Sequence, residues 1–519
     1  MVKVLFAHQT HPIEPLGIGY ISSSIARGGH ESQLELTSKN INEAVEHISE
    51  AINREEPDLF CQSIIFGSHG YAIELNKRVK ERYPSLVSVL GGPAGTFTPE
   101  LIDRGFDVLC RYEGEDPFLE FCNAFANRED VGNIPNIWVN ENPVLYRTEV
   151  KKIKKILDID NPGYRYDSGY DTQRRRFIND TRKLLEGGDL DSIPTPDRAL
   201  LYKHRIYRES PIIHFMHTRG CAFHCTYCHV EMQNIENRGK GRVVRRRANE
   251  LFAAEVNEVR KLLGRDFLVY FQDDILGFGY KRELAEEFRD VYKSEVGLPF
   301  HGHVRFDLIS KDEGIARALA DAGCTGVHVA IESGDADIRN RVHGRGMSET
   351  QILRGAEYLR KYGIKMMTQN IFGAPGETKE QMLKTFELNK TVCPTFASVS
   401  IFQPYPGTSS LEYAKQTGTL PVREINALID IFGMESFYDK SILATDPEHK
   451  RWMEVAQKFF AIAIDRGLSI EEYEDMIEPY LKDNGRDGGD DELKRMYRAH
   501  RTEKDDILYG VKLRDVVDA

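Results

Sequence analysis

The residues best able to do chemistry fall in one short stretch, Arg219-Gly220-Cys221-Ala222-Phe223-His224-Cys225-Thr226-Tyr227-Cys228. Three of the chain's eight cysteines lie there within eight positions, spaced CxxxCxxC. The apolar run Pro211 to Met216 directly before it reads as a strand, so the thiols belong to a tight loop leaving a strand end. Thiolates this close can converge on one soft metal centre, and iron–sulfur clusters take cysteine ligands. Three cysteines hold three irons of a 4Fe-4S cube and leave the fourth open to a substrate. Zinc, with His224 or His229 as fourth ligand, is the alternative. Structural zinc sites usually pair two separated knuckles, and no second CxxC or HxxxH knuckle exists in the chain. A disulfide is set aside because nothing marks an oxidising compartment.

With the aromatic Tyr227 just before the third cysteine, the loop resembles the signature of the radical SAM superfamily. The resemblance implies that the open iron chelates the amino and carboxylate groups of S-adenosylmethionine (SAM). An electron from the cluster then breaks a sulfonium C–S bond and gives a 5'-deoxyadenosyl radical.

At 519 residues and 41% hydrophobic content, the chain is long enough for two or three packed domains. Its formal net charge of -12 argues against a polyanion-binding surface, so no nucleic-acid partner is expected. The basic runs Lys151-Lys152, Lys154-Lys155 and Arg174-Arg175-Arg176 read as solvated faces. The sequence opens on a strand-like Val2 to Phe6 without a charged-then-apolar leader, and no apolar run approaches the ~18 residues of a membrane helix. These features predict a soluble, cytoplasmic protein of a reducing compartment, with no membrane partner. No solenoid-period repeat or low-complexity tract is visible.

From residue 1 to about 130, apolar runs alternate with helical patterns. Strands are expected at Val2 to Ala7, Ser32 to Leu36, Leu59 to Phe66, Leu86 to Leu90 and Asp107 to Cys110. Helices are expected at Leu16 to Arg27, Ile41 to Arg54, Ala72 to Tyr83, Pro99 to Arg104 and from Pro117. Five such strands predict an α/β, doubly wound parallel sheet, which binds ligands at the carboxyl ends of its strands where the order reverses. The sequence there offers Ser63 near the third strand's end, the loop Gly91-Gly92-Pro93-Ala94-Gly95 after the fourth, and Glu113-Gly114-Glu115 after the fifth. A glycine pair lets backbone approach a ligand without a Cβ clash, although singly it is more often only a turn. Taken with Leu16, Gly17 and Tyr20 of Pro15-Leu16-Gly17-Ile18-Gly19-Tyr20, these residues resemble the cobalamin-binding domain that precedes the radical SAM core in one large subfamily. The resemblance implies that the serine region and the glycine pair line a slot for the cofactor's nucleotide tail. One departure is the absence of an Asp-x-His-x-x-Gly motif. The cobalt is therefore expected to have no lower protein ligand, with His8 or His11 as the alternative. A flavodoxin-like domain without cofactor is the plainer reading, since fold alone does not fix function.

Ile134 to Val139 and Val144 to Arg147 read as a hairpin about Asn140-Glu141-Asn142, Lys151 to Gly188 as a charged linker with some helix, and Leu190 to Arg198 as a proline-fixed connector. After the cysteine loop, strand-like runs recur at Phe267 to Gln272, Phe300 to Val304, Gly326 to Ile331, Met366 to Phe372 and Ala397 to Gln403, with helical patterns between them. With the first strand these make six βα units, too few for a closed eight-stranded barrel. A partial (β/α)6 TIM barrel is expected, and by resemblance it is the radical SAM core. Functional groups of a parallel barrel cluster at the strands' carboxyl ends. Here these are Asp273-Asp274, Arg305, Glu332-Ser333-Gly334, Gly373 to Glu377, and Pro404 to Thr408 with Tyr405. The resemblance implies Asp273 or Asp274 near the methionine amino group, Glu332 and Ser333 at the ribose or carboxylate, and Gly373 by the adenine. Arg305 and Glu377 are further candidate cofactor contacts. Each acid taken singly is as readily a helix N-cap. Tyr405 is a substrate contact or proton donor, or an aromatic filling the mouth.

Apolar spacing at Met453, Ala456, Phe459, Phe460 and Ile464 predicts helices in 411–519, expected as a cap over the barrel mouth, with an exposed tail in the charged stretch from Asp483. No cysteine cluster follows Cys393, which argues against an auxiliary-cluster domain. The expected domains are 1–130, 131–210, 211–410 and 411–519. The resemblance, over residues 1 to 410, implies a cobalamin-dependent radical SAM enzyme with a 4Fe-4S cluster, SAM and cobalamin, and most simply a methyltransferase. In the family scheme one SAM methylates reduced cobalamin, a second yields the radical, and the substrate radical takes the methyl group. Such a route suits an unactivated carbon, which has no acidic proton to lose in water. A small-molecule substrate and an external electron donor of flavodoxin or ferredoxin type are implied. The alternatives are other radical chemistry such as oxidative cyclisation or ring rearrangement, a methylthiotransferase with a second cluster on Cys61, Cys110 and Cys122, and a non-catalytic cobalamin sensor. Cys61 within a strand and Cys122 within a helix read as packing residues.

Overall fold

The computed structural model describes residues 1–140, 168–171, 176–179, 190–239, 241–421, 440–482 and 489–511. The chain divides into two compact units, the first Met1–Arg208 and the second drawn mostly from Glu209 onward.

In the first unit β1 (Lys3–Gln9), β2 (Glu31–Thr37), β3 (Leu59–Ser63), β4 (Val87–Gly91) and β5 (Val108–Cys110) run parallel in the order β2-β1-β3-β4-β5. Because β2 lies on the far side of β1, the order reverses between β1 and β3, where such sheets take their ligands. The covering helices form for local reasons. In Ile41–Glu55, Asn40 caps the start by accepting the Asn42 N–H, and Ala44, Val45, Ile48, Ala51 and Ile52 make one buried stripe against Leu5 and Phe60.

Two expectations change here. The glycine-rich stretch after β4 is not a loop: helix Gly92–Phe97 starts at once, with Pro93 in the first turn where a missing N–H costs nothing. The sheet also continues past residue 130. β6 (Ile137–Asn140) pairs antiparallel with β5, and β7 (Ser168–Asp171) and β8 (Arg176–Asn179) extend it in the order β6-β8-β7. The second arm of the expected hairpin, 144–147, and most of the expected linker lie outside the described residues. The connector docks on helix Leu16–Ala26, where Asp197 donates its N–H to Gly19 O (3.0 Å) and accepts from Ser22 Oγ (2.8 Å). A Cβ on Gly19 would lie 3.0 Å from Pro196 Cβ, so that glycine serves packing.

In the second unit β9 (Ile212–Phe215) is followed by a short ribbon, β10 (Thr218–Arg219) antiparallel to β11 (Arg245–Arg246). Then come β12 (Leu268–Phe271), β13 (Phe300–Val304), β14 (Cys324–Glu332), β15 (Lys365–Phe372) and β16 (Phe396–Ile401). β9 and β12 to β16 form one all-parallel sheet of six strands in chain order, the expected partial barrel, with helices as the crossovers. Ser348 and Thr378 close capping boxes with Gln351 and Gln381, which fixes where helices Glu349–Lys361 and Lys379–Val392 begin.

The described helices Pro447–Asp465 and Gly489–Tyr509 do not lie over the mouth. Pro447–Asp465 packs on β16, and Gln457 Nε2 donates to Val399 O (2.8 Å), covering the last edge of the sheet. Gly489–Tyr509 reaches the amino ends of the strands. There Leu508 packs on Met367 and Phe396, and Tyr509 OH hydrogen-bonds His328 Nε2 (3.0 Å) beside Tyr270. Over its described residues, 489–511, the charged end is therefore no tail: Leu493 and Leu508 are buried on one side of this helix and its charges occupy the others. Among the described residues, no helix is long and apolar enough to cross a membrane.

Candidate active site

The cysteine loop is pinned from three strand ends. Asp273 Oδ1 accepts the His217 N–H (2.8 Å) and Asp274 Oδ2 the Gly220 N–H (3.1 Å), so both acids after β12 tether the loop's entrance. Past β14, Val342 O accepts from Thr226 Oγ1 (2.6 Å) and His343 O from Thr226 N (3.2 Å), while Ser410 N, past β16, donates to Thr226 O (2.9 Å). Cys228 N donates to Cys225 O (3.0 Å), and helix His229–Glu236 starts there. Burial pushes the Cys228 thiol up to about 12, so holding its thiolate calls for a cationic partner. Among the described residues, no three Cys, His, Asp or Glu side chains close on a single point as a lone metal ion requires. A cube takes one thiolate at each of three separate corners, so the trio needs no such convergence to hold a cluster. His224 is exposed and the His229 ring lies 5.4 Å from that of Tyr405.

A buried network surrounds Cys225. Arg345 Nη1 donates to its Sγ (3.4 Å) and to Tyr227 OH (3.4 Å), while Nη2 donates to Ala330 O (2.8 Å). Arg305 Nη1 donates to the same sulfur (3.6 Å), and its guanidinium is held by Asp307 (2.9 Å), by Arg345 O (2.7 Å) and over the Phe223 ring (3.7 Å). Tyr227 OH donates to Glu332 Oε1, and Glu332 sits at φ 68, a left-handed conformation rare outside glycine. Burial raises the Glu332 carboxyl against the opposing pull of Arg345.

The remaining strand-end residues divide between open and committed groups. Ser333 is buried, with its hydroxyl 3.5 Å from Thr385 Oγ1 and accepting the Asp335 N–H (3.2 Å). Glu377 Oε2 accepts from Gly373 N (2.7 Å) and Ala374 N (3.1 Å), so this acid folds its own loop, and Thr378 then starts the next helix. Its other oxygen is buried without a hydrogen-bond partner, and burial lifts the carboxyl to about 8 from an ordinary 4.5. The folded protein then keeps a proton that the unfolded chain has lost. The contribution of Glu377 to stability is expected to fall as pH rises from about 5 to 8, by up to ~1.4 kcal/mol per pH unit, and Glu377→Gln to remove that part of the slope while leaving the part due to Asp273, whose buried carboxyl is likewise raised to about 8. Thermal melts across the range test this, and parallel profiles for the two proteins would refute it.

The lumen is polar. Thr368 and Val399 turn outward, to Asn389 and to helix Pro447–Asp465, which leaves Gln369, Ile371, Ser398 and Ser400 on the inner face, half-buried.

In the first unit the carboxyl edge of the sheet carries the residues expected there. Ser63 and Gly91 end β3 and β4 in register with each other. Gly92 has φ 85, and a Cβ on it would lie 2.6 Å from Ile64 N, so only glycine permits helix Gly92–Phe97 to start so tightly. Gly17 is exposed with nothing within 4 Å of its Cβ position, and at Gly91 the nearest atoms are 4.0 Å away, so a large ligand finds open backbone at both. Glu113 is half-buried. Leu16, Tyr20, Gly114 and Glu115 are buried and support the edge from beneath. His11 Nδ1 accepts the Ile13 N–H (3.1 Å) within its own loop, and His8 lies within β1. Cys61, Cys110 and Cys122 are buried, and burial raises the thiols of Cys61 and Cys122.

Arg345 and Tyr280, whose OH lies 4.0 Å from Cys221 Sγ, were not among the expected residues. The sequence signal for Arg345 is only its place between Gly344 and Gly346.

Two family models match the chain: the radical SAM superfamily over residues 215–388 and the B12 binding domain over residues 2–121. An uncharacterized methyltransferase of Pyrococcus horikoshii is 25% identical over 408 residues, covering 77% of this chain and 78% of that protein. The cytidylyl-2-hydroxyethylphosphonate methyltransferase of Streptomyces wedmorensis is 24% identical over 432 residues, 76% of each chain. The fold also matches the solved structure of the cobalamin-dependent S-adenosylmethionine radical enzyme OxsB with aqua-cobalamin and S-adenosylmethionine bound. That match has a TM-score of 0.62 and 13% identity, over 97% of this chain and 72% of the other. The chain carries a B12-binding domain ahead of a radical SAM domain, the make-up of the cobalamin-dependent radical SAM enzymes. Within that family it is methyltransferase-like, and its cofactors are a 4Fe-4S cluster, SAM and cobalamin.

Proposed function

We propose that this enzyme transfers a methyl group from SAM, by way of cobalamin, to an unactivated carbon of a small polar molecule. The observation that carries the reading is the cysteine trio on a strand-end loop, in a chain that also bears the cobalamin-type sheet edge. When bound, the cluster supplies the electron that cleaves SAM, and cobalamin carries the methyl group. Cys221, Cys225 and Cys228 hold three irons, and Asp273 and Asp274 keep the loop in place through His217 and Gly220. Glu332 and Tyr227 face the SAM polar groups, the Gly373 backbone lies by the adenine, and Glu377 and Ser333 hold those segments from behind. Gly17, Ser63, Gly91, Gly92 and Glu113 border the cobalamin. Gln369, Ser398 and Ser400 offer hydrogen bonds to the substrate in the lumen, and Tyr405 meets it at the mouth. The electron comes from a one-electron carrier of flavodoxin or ferredoxin type, and no nucleic acid takes part.

The test is anaerobic turnover with methyl-labelled SAM and a fractionated pool of small metabolites. One S-adenosylhomocysteine and one 5'-deoxyadenosine are expected per labelled, carbon-methylated product. Label confined to S-methyl species, with substrate altered but not methylated, refutes methyl transfer in favour of other radical chemistry.

A further inference from the structure

Cys225 differs from the other two cysteines of the loop in that two buried guanidiniums donate to its sulfur, Arg345 at 3.4 Å and Arg305 at 3.6 Å. The two do not carry equal weight. Arg305 is neutralised by Asp307 at 2.9 Å, with both side chains buried. Among the described residues Arg345 makes no direct ion pair with a carboxylate, and Glu332 reaches it only through the Tyr227 hydroxyl. Its hydrogen-bond acceptors are Ala330 O, Tyr227 OH and the Cys225 sulfur, and its Nε–H is buried with no acceptor at all. A buried cation with no carboxylate in direct contact projects its field over several ångströms with little solvent screening, so it acts on the sulfur it touches. Hydrogen bonds and positive charge at a cluster's cysteine sulfurs stabilise the reduced, more negative core and raise its reduction potential.

We infer that Arg345 is a positioning residue that sets the reduction potential of the cluster through Cys225, with Arg305 and Asp307 as a weaker, internally balanced second contact. One electron passes from the reduced carrier to the cluster, whose core charge falls from 2+ to 1+ as the carrier is oxidised by one. Arg345 makes that transfer more favourable without touching the open iron. The inference rests on the cluster assignment made above. It adds that the loop's middle cysteine is the point at which the protein tunes the cluster.

The test is a redox titration of the reconstituted full-length protein without SAM, read by the electron paramagnetic signal of the reduced cluster. Arg345→Gln is expected to shift the reduction equilibrium at least tenfold toward the oxidised cluster, ~59 mV for one electron. Arg345→Lys keeps a charge but loses the fork and should fall between wild type and Arg345→Gln. Arg341→Gln removes an exposed guanidinium paired with Asp337 and should leave the potential unchanged. Equal potentials in wild type and either Arg345 variant, each holding a full cluster, overturn the inference. So does failure of both variants to take up iron, because the residue is then needed only for assembly. A wild type that itself takes up no cluster sinks the functional reading instead, which keeps the two failures distinct.

Discussion

Replacing any one of Cys221, Cys225 or Cys228 by alanine is expected to abolish 5'-deoxyadenosine formation and to drop iron from about four per chain toward none. Among the described residues the trio is the thiol set on this loop, and each thiol would hold a different corner of a cube. Loss of one leaves two thiols on a loop whose third position, if it is Cys228, already favours the neutral form through burial. The fold should survive, because the loop is held by Asp273, Asp274, Val342, His343 and Ser410 and not by its thiols. Iron and sulfide assays with absorbance near 400 nm after anaerobic reconstitution provide the measurement. Full iron content in the triple alanine variant would remove the basis of the functional reading.

Gly220→Ala should be almost as damaging for a different reason. Gly220 has φ 87, and a Cβ built there lies 1.9 Å from Val243 O, a backbone atom that cannot swing aside. The added methyl must push apart the ribbon in which Thr218 and Arg219 pair with Arg246 and Arg245. Left-handed backbone costs an L-residue ~1–2 kcal/mol and overpacking another ~1–3 kcal/mol, so a loss of ~3 kcal/mol or more is expected. Because the same peptide donates to Asp274, iron uptake should fall along with stability. Thermal melts and iron content of Gly220→Ala measure both, and wild-type values for the two would show that the ribbon is looser than the structure has it.

What the sequence made legible was local. The cysteine spacing sits within eight positions, and alternating apolar runs placed β1 to β5 and the six strands of the second sheet within a few residues, but not β7 and β8. What it hid depends on partners far along the chain. Arg345 is 120 positions from the sulfur it touches, and its flanking glycines announce only a turn. Asp273 and Asp274 were recognisable as strand-end acids, but spacing does not reveal that one oxygen of each is taken by a backbone amide more than fifty residues upstream. Gly92 and Pro93 look like a turn, yet the same pair can open a helix when the preceding strand ends beside it. The last helix was masked by its charge, since its buried leucines are few and its seat at the strands' amino ends is a tertiary fact.

That seat has a consequence for how the molecule comes to exist. Tyr509 arrives from the ribosome about a hundred residues after the sixth barrel strand, a delay of roughly 5–20 s at ordinary synthesis speeds. Throughout that interval the staves around His328 and Tyr270 stand with their underside wet. A nascent chain can therefore own every thiol needed for iron and still lack a watertight vessel, so loading before release would expose the cargo to solvent and oxygen from below.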